Sequence, residues 1–299
     1  MISGNVPDLL NTVAKTGFLS AKPVMNLAYK EIAQVLPIVS SSQKLVDLGE
    51  APMPTENIGR SVVKEFIEKT MDVKPKTFDT IIRISYNAVS DDQTGDLLRK
   101  ARSAREKFDL HLDKMAFQLL NGGDGTSYGL CYDGQEFFDS DHVDAGASYT
   151  TQQDNEMTLA LSLDNFTTAL TAARKFRDDT GEFVTHAFDT LVVSPDLEYL
   201  ASQICSNREA YDTASRESNP YAGDFRYIVN ANLDTTAWYI LATKLEVKPF
   251  IIVWREAPNL QASWFAPKEG NEGGMYYFKF MGRYNVVYGD WRLAIQGNT

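Results

Sequence analysis

A short segment of this 299-residue chain, CYDGQEFFDSDH at residues 131–142, concentrates side chains that could do chemistry. Oxygen and imidazole groups at such short spacing are potential ligands for a divalent cation. The potential ligands are Asp133, Glu136, Asp139, Asp141, His142 and, just beyond the segment, Asp144. Their spacing matches neither an EF-hand loop nor the helix of a zinc protease. We therefore expect a solvated loop that Phe137 and Phe138 anchor to the body of the protein.

Two enzymatic alternatives use the same segment. A metal-dependent hydrolase would use a cation loop at Asp139, Asp141 and His142. A thiol nucleophile would pair Cys131 with His142, but the sequence supplies neither a third group nor an oxyanion hole. The chain has three histidines and no Gly-x-Ser-x-Gly motif, and its glycine-rich GGDG at 122–125 follows a helix instead of opening one, unlike a phosphate loop. We predict no catalytic residue, no metal site and no cofactor, and hence no enzyme.

The composition is that of an acidic globular protein. Hydrophobic residues make up 43% and charged residues 23%, with a net charge of −11 and a pI near 4.8. Such a balance argues against tight binding to a nucleic-acid backbone, which needs clustered Lys and Arg. The N-terminal sequence does not resemble a secretory signal, and no stretch approaches the roughly 20 apolar residues of a membrane span. We expect a protein made in a cytoplasm, with Cys131 and Cys205 reduced.

The clearest predicted element is a long helix over residues 94–121. Apolar residues recur there at steps of three and four, which is one face of a helix. They are Leu97, Ala101, Ala104, Phe108, Leu112, Met115 and Leu119. At 1.5 Å per residue this helix is about 40 Å long, so we expect it to act as a structural spine.

The residues before this helix are predicted to be extended. We expect residues 1–43 to form a mobile or draped arm, with one helix at about 24–36. Residues 44–86 are rich in turn signals, and alternating segments at 62–70 and 77–86 predict two strands that could form one long hairpin. Because a lone hairpin has little core of its own, it should lie on something else.

A second compact unit is predicted after about residue 160. Asp164 is expected to cap a helix, and Leu191–Val193 to form a buried strand. After this strand, Ser194 is expected as the N-cap of another helix, with Pro195 at its first position. Further strands are predicted at about 227–229, 238–242 and 250–254, and within the alternating tail at 275–297.

Several of these segments resemble one family, the major head (capsid) proteins of Mu-like phages and prophages, known as the Mu T-protein family. CYDGQEFFDSDH is the most distinctive of them, whereas TLVVSPDLE occurs in many tailed-phage shell proteins. The matching segments are PMPTENIGRSVVKEF at 52–66, GDLLRKARSAREKFDLHLDKMAFQLLNGG at 95–123, LCYDGQEFFDSDH at 130–142, TLVVSPDLEYLASQI at 190–204 and RYNVVYGDWRLAIQG at 283–297.

This resemblance implies an α+β fold, the tailed-phage major capsid fold of the Hong Kong 97 type. The implied parts are an N-terminal arm at 1–43, an extended hairpin loop at 44–90, a peripheral domain with the spine helix at 91–160 and 276–299, and an axial domain at 161–275.

The resemblance also implies a structural function. The subunit would self-assemble as pentamers and hexamers into an icosahedral shell around phage double-stranded DNA, without sequence-specific DNA binding. It implies a virion location, assembly in the host cytoplasm, separate scaffold, portal and decoration proteins, and no membrane partner. A nanocompartment shell of the same fold is the alternative within this class, since one fold hosts several functions.

Overall fold

The computed structural model describes residues 6–21, 27–47, 69–85, 96–143, 149–207, 219–266 and 275–298. Within them the chain combines helices with two larger sheets and one two-stranded ladder. The helices are α1 (Val6–Leu19), α2 (Tyr29–Ile32), α3 (Asp96–Asn121), α4 (Leu163–Ala173) and α5 (Glu198–Ser206). The strands are β1 (Ala33–Pro37), β2 (Gln43–Asp47), β3 (Lys69–Val73), β4 (Lys76–Ser85), β5 (Glu156–Met157), β6 (Thr190–Val193), β7 (Arg226–Val229), β8 (Trp238–Leu241), β9 (Phe250–Ala266), β10 (Met275–Tyr288) and β11 (Ala294–Gly297).

A four-stranded sheet with the order β1-β9-β10-β4 lies against the long helix α3. Its centre is the antiparallel ladder of β9 and β10, which are 17 and 14 residues long. Phe108 of α3 and Tyr284 of β10 belong to one buried cluster on the helix side. On the other face, Val253 packs with Ile38 and Val73 in a smaller cluster beside the β2–β3 ladder. The second face is therefore covered where β9 passes the β2–β3 ladder, whereas β4 stays largely exposed.

A five-stranded mixed sheet with the order β5-β11-β8-β6-β7 forms the second unit. All four residues of β6, β8 and β11 are buried, as expected for strands covered on both faces. The buried strand after residue 190, the cap at Ser194 and Pro195 at the start of the next helical turn are confirmed. The remaining predicted strands are also present, although β9 is much longer than predicted.

The long helix is confirmed almost residue for residue at Asp96–Asn121. The predicted cap at Asp164 is wrong, because the N-cap of α4 lies two residues earlier. Ser162 is the N-cap: its backbone is extended, with φ −150° and ψ 166°, and its hydroxyl accepts a hydrogen bond from Asn165 N at 3.1 Å. Asp164 instead lies in the first turn, where a carboxylate interacts favourably with the helix dipole.

The helix predicted at 24–36 is largely wrong. Only Tyr29–Ile32 are helical in the described part of this range, and Ala33–Pro37 pair in parallel with Phe250–Trp254 of β9. Pairing with a long central strand overrides the helical spacing of the apolar residues. The described residues between 6 and 43 are packed and do not form a mobile arm, because Phe18 of α1 is fully buried and stacks on Phe280 at 4.8 Å.

The long hairpin predicted from 62–70 and 77–86 is not formed by the described residues. β3 pairs with β2, and β4 pairs with β10. Only Lys74 and Pro75 separate β3 from β4, and two-residue hairpin turns favour positive φ at a central residue. The ring of Pro75 fixes φ near −65°, so the chain crosses from one sheet to the other. Residues 48–68, which include most of the predicted first strand and PMPTENIGRSVVKEF, lie outside the described residues.

Candidate functional site

The acidic-aromatic loop is anchored by its two phenylalanines, as predicted. Phe137 and Phe138 have no exposed surface, and Phe137 stacks on Tyr288 of β10 with ring centroids 4.7 Å apart. Asn155 joins the loop to the following chain: its side chain accepts from Asp139 N and donates to Phe137 O, both at 2.9 Å. The loop is therefore part of the packed body of the protein.

His142 points inward from this loop. Its Nδ1 lies 2.6 Å from Oδ2 of Asp133, and both side chains are fully buried. The imidazole also lies parallel to the indole of Trp291, at 4.1 Å and 4°. Its Nε2 is buried and makes no hydrogen bond with any residue that the structure describes. The imidazole is thus held in a structural contact that joins the loop to the C-terminal segment.

The structure does not bring the three candidate cation ligands together. Asp139 and Asp141 lie close to each other, and the hydrogen bond and negative charge of Asp139 raise the pKa of the Asp141 carboxyl. His142 is paired with Asp133 instead. Within the described residues, no group of three or more His, Cys, Asp or Glu side chains is arranged to hold a metal ion. Asp144 lies outside those residues.

A cluster of acids does form where α3 ends. Burial raises the pKa of Glu156, and the charges of several neighbouring carboxylates raise it further. These neighbours are Asp124, Asp139, Asp154 and Glu136. The charges that raise the pKa of Glu156 are thus those of neighbouring carboxylates, which disfavour its ionised form.

Cys131 does not pair with His142. Its thiol donates to Gly289 O at 3.4 Å, and burial raises its pKa well above the ordinary value. A thiolate is the nucleophile in cysteine chemistry, so this thiol is poorly suited to that role. Cys205 is also buried and reduced, with a pKa raised by burial to about 12.

An open wedge lies between the edge strand β4 and helix α3. Its cavity has a volume of about 490 Å³. The cavity is lined by apolar and cationic side chains, among them Phe78, Ile82, Phe108, Lys100, Lys107 and His111, and by the acid Asp79, which pairs with Lys279 at 2.8 Å. At its base, Nδ1 of His111 lies 3.0 Å from the Tyr284 hydroxyl, and burial followed by the charge of Lys114 lowers the pKa of His111. No described strand pairs with the outer edge of β4.

A second outward feature follows α3. Residues 126–130 form a turn in which every residue is exposed. Two of them are large and apolar: Tyr128 is 46% exposed and Leu130 is 44% exposed. Exposed apolar surface is removed from water only when another molecule covers it. This turn is therefore suited to contact with another molecule.

Sequence reasoning missed a polar joint between the two units. Asp113 of α3 accepts from Tyr29 N and from Asn230 Nδ2, both at 3.0 Å. Close by, Glu31 of α2 forms an ion pair with Arg226 of β7. The helical pattern places Asp113 off the apolar face, and nothing in its spacing indicates these distant partners.

Comparisons with known proteins identify relatives of this chain. The family model described as Mu-like prophage major head subunit gpT matches residues 8–160, which is 153 of 299 residues. The Mu-like prophage FluMu major head subunit of Haemophilus influenzae is 32% identical over 130 residues, covering 42% of this chain and 40% of that protein. The major capsid protein of Escherichia phage Mu is 28% identical over 114 residues, covering 38% and 36%. These alignments thus span about two fifths of each relative.

Solved structures share the fold. A chain from the procapsid of bacteriophage JBD30 matches all of this chain and 76% of its own length, with a TM-score of 0.53 and 22% identity. An encapsulin from Synechococcus elongatus matches 92% of this chain and 88% of its own, with a TM-score of 0.55 and 8% identity. At such identities the likeness concerns the fold alone, which is the predicted α+β fold of tailed-phage capsid proteins, the Hong Kong 97 type. In the part of the chain that the structure describes, no helix has the length and apolar character needed to cross a membrane.

Proposed function

The chain belongs to the family of Mu-like prophage major head subunits, and from this premise we propose that it is a structural capsid subunit. It self-assembles as pentamers and hexamers into an icosahedral shell that encloses phage double-stranded DNA. The observation that carries the proposal is the family match over residues 8–160. The relatives are named as head or capsid subunits, and the shared fold is one that other shells use.

The arrangement of the described elements supports this role. The β2–β3 ladder is antiparallel, and the 21 residues 48–68 lie between its two strands in the sequence. We propose that 44–90 acts as an extended hairpin loop with this ladder at its base. The peripheral domain is then 91–160 with 276–299, and the axial domain is 161–275. An extended loop buries little within its own subunit, so its stability comes from neighbours and depends on protein concentration.

The charge of the chain fits a container for DNA. A net charge of −11 disfavours a tight grip on phosphates, and the enclosed DNA can then move during packaging without base-specific contacts. We propose assembly in the host cytoplasm with separate scaffold, portal and decoration proteins, and a final location in the virion. The proposal includes no enzymatic activity, metal site or cofactor, and no membrane partner.

The likeness to an encapsulin makes a nanocompartment shell the second candidate. Both candidates predict closed particles, but a nanocompartment holds a cargo protein and a phage head holds DNA. The family match favours the phage head.

The test is electron microscopy of the purified chain by negative stain, with light scattering on the same sample. Closed shells, or rings of five or six subunits, are the expected result. A chain that stays monomeric at high concentration, with and without the other head proteins of its phage, would overturn the proposal. Particles that contain a cargo protein and no DNA after expression with the packaging proteins would favour the nanocompartment.

A further inference from the structure

The exposed face of helix α3 is basic although the chain as a whole is acidic. From residue 99 to the end of the helix, the exposed positions include five cations and one acid. The cations are Arg99, Lys100, Arg102, Lys107 and Lys114, of which Arg99 and Lys100 also have interactions within the chain, and the acid is Glu106. Lys100, Lys107 and Lys114 are seven residues apart, which places them along one line of the helix. This lysine stripe contrasts with a chain of 40 acidic and 29 basic residues.

The lysine stripe borders an apolar cavity. Lys100 and Lys107 line the wedge described above, whose apolar walls are formed by Phe78, Ile82 and Phe108. Leu110, on the same face of the helix, is 42% exposed. A surface that only needed to be soluble would not combine a cavity of about 490 Å³ with apolar walls and a cationic rim. The wedge is suited to an apolar side chain that has acidic residues beside it.

The chain itself carries a feature of that description. In the exposed turn at 126–130, Tyr128 and Leu130 project apolar surface. The turn is next to the acid cluster, since Asp124 precedes it and lies with Glu136 among the carboxylates whose charges raise the pKa of Glu156. Turn and acids together present two apolar side chains beside several carboxylates.

We propose that the wedge between β4 and α3 receives the 126–130 turn of a second copy of this chain. Tyr128 and Leu130 enter the apolar cavity, and the acids beside the turn lie opposite Lys100 and Lys107. The proposal rests on the shell-forming function proposed above and names one contact by which neighbouring copies are joined.

The positions of the two surfaces make this contact a head-to-tail one. Lys107 and the end of α3 at Asn121 are 14 residues apart, which corresponds to about 21 Å along the helix. The wedge and the turn of one copy therefore do not overlap, and each copy can offer both at once. Contacts between two different surfaces of identical subunits generate rings when the rotation closes. The opposite charges also favour this pairing over contact of wedge with wedge or turn with turn.

The test compares assembly of full-length variants by light scattering and negative-stain microscopy, in the absence of DNA. Lys100→Glu with Lys107→Glu should raise the critical concentration for assembly about tenfold or more, because the attraction becomes repulsion. Tyr128→Ser with Leu130→Ser should have a similar effect. The matched control is Arg174→Glu with Lys175→Glu, two exposed cations after α4, which should assemble like the unsubstituted chain. Circular dichroism should show that every variant is folded.

A charge exchange within one chain decides whether the two surfaces meet. Adding Asp124→Lys and Glu136→Lys to the Lys100→Glu and Lys107→Glu variant restores opposite charges at a head-to-tail contact, so assembly should return. If each pair of substitutions blocks assembly and the exchange does not rescue it, the wedge and the turn have other partners and the proposal is wrong.

Two outcomes separate this proposal from the proposed function. Shells that form normally from the Lys100→Glu and Lys107→Glu variant overturn the contact and leave the shell function standing. If such shells, formed instead by expression with the packaging proteins, hold less DNA than the unsubstituted ones, the lysine stripe is a DNA-facing surface. Short oligomers that never close, but that dissociate when the lysines are reversed, support the contact while contradicting the shell.

Discussion

Two neighbouring stretches of the chain, the turn at 126–130 and the loop at 131–143, use their side chains in opposite ways. In the loop, His142 is turned inward onto Asp133, and Phe137 and Phe138 have no exposed surface. In the turn, every residue is exposed, and none suggested a function from sequence. Residue types that can do chemistry are therefore a poor guide here. Apolar side chains left without cover are the better guide, because a shell subunit works through contacts with its neighbours.

Among the tests of this comparison, His142→Ala is expected to change the free energy of unfolding most. The substitution leaves the Asp133 carboxylate buried without its partner and removes the stack on Trp291. Breaking a buried pair in this way costs about 3–5 kcal/mol. Urea denaturation should show this loss in the free energy of unfolding, and metal addition should not restore it. Asp141→Asn, at a half-buried side chain of the same loop that keeps an oxygen to accept from Gln135 Nε2, is the control and should change stability little.

A cost below roughly 1 kcal/mol for His142→Ala would mean that the pair is not a structural contact. A stoichiometric metal ion that is lost on this substitution, together with a hydrolytic activity, would support the metal-dependent hydrolase that the sequence left open.

The second comparison sets one aromatic residue of the loop against one of the turn. Phe137→Ala removes a fully buried ring and should lower the free energy of unfolding by about 3–5 kcal/mol. Tyr128→Ala removes a ring that is 46% exposed and should cost about 1 kcal/mol or less. Both values come from denaturation of the unassembled chain. In assembly the turn should matter more, so a folded Tyr128→Ala variant that assembles normally would weaken the contrast.

The polar joint between the two units also depends on a side chain that bonds within the chain, the carboxylate of Asp113. Asp113→Ala leaves Tyr29 N–H and the Asn230 amide without their acceptor, which should cost about 1–3 kcal/mol. Hydrogen exchange should also show faster exchange of the Tyr29 amide, because its bond to α3 is lost. Asp113→Asn keeps one acceptor oxygen, so its stability and its Tyr29 exchange rate should lie between those of the unsubstituted chain and of Asp113→Ala. Unchanged exchange at Tyr29 in the Ala variant would show that the joint is not closed in solution.

The sequence predicted most of the elements that depend on local periodicity. The helix at Asp96–Asn121 is long enough for its apolar face to be unambiguous, and the cap at Ser194 followed by Pro195 is a local signal. The errors arise where distant partners decide. Residues 33–37 have helical spacing but pair with β9, and β4 pairs with β10, some 200 residues later in the chain.

The same distinction explains what could be predicted about the candidate site. The anchoring of the loop by Phe137 and Phe138 followed from their apolar character. The pairing of His142 with Asp133 could not be predicted, because Glu136, Asp139 and Asp141 were equally plausible partners by spacing. The wedge and the turn became visible only in three dimensions, since one requires β4 and α3 to be adjacent and the other requires the exposure of each side chain.

The smallest expected effect concerns the acid cluster beside the turn. Burial and neighbouring carboxylates raise the pKa of Glu156 above its ordinary value of 4.5, so the folded state holds this proton more tightly than the unfolded state. The resulting stabilisation is fully present below about pH 4.5 and is lost as the pH rises through the raised pKa. Glu156→Gln should therefore reduce the fall in stability between pH 4.5 and 7, by on the order of a few tenths of a kcal/mol because solvent screens partly exposed charges.

Urea denaturation of the unassembled chain across this pH range measures the difference, with Glu246→Gln, at an exposed position in another loop, as the control. Equal pH dependence in the Glu156→Gln variant and the unsubstituted chain would mean that the acids do not repel one another in the subunit. In assembled particles the comparison should change. If lysines of a neighbouring copy lie opposite the cluster, they lower the pKa of Glu156, and the pH dependence that this residue contributes to the subunit should shrink or reverse. The unassembled subunit and the shell then differ at the same carboxylate, and the difference reports whether a cation from another copy lies beside it.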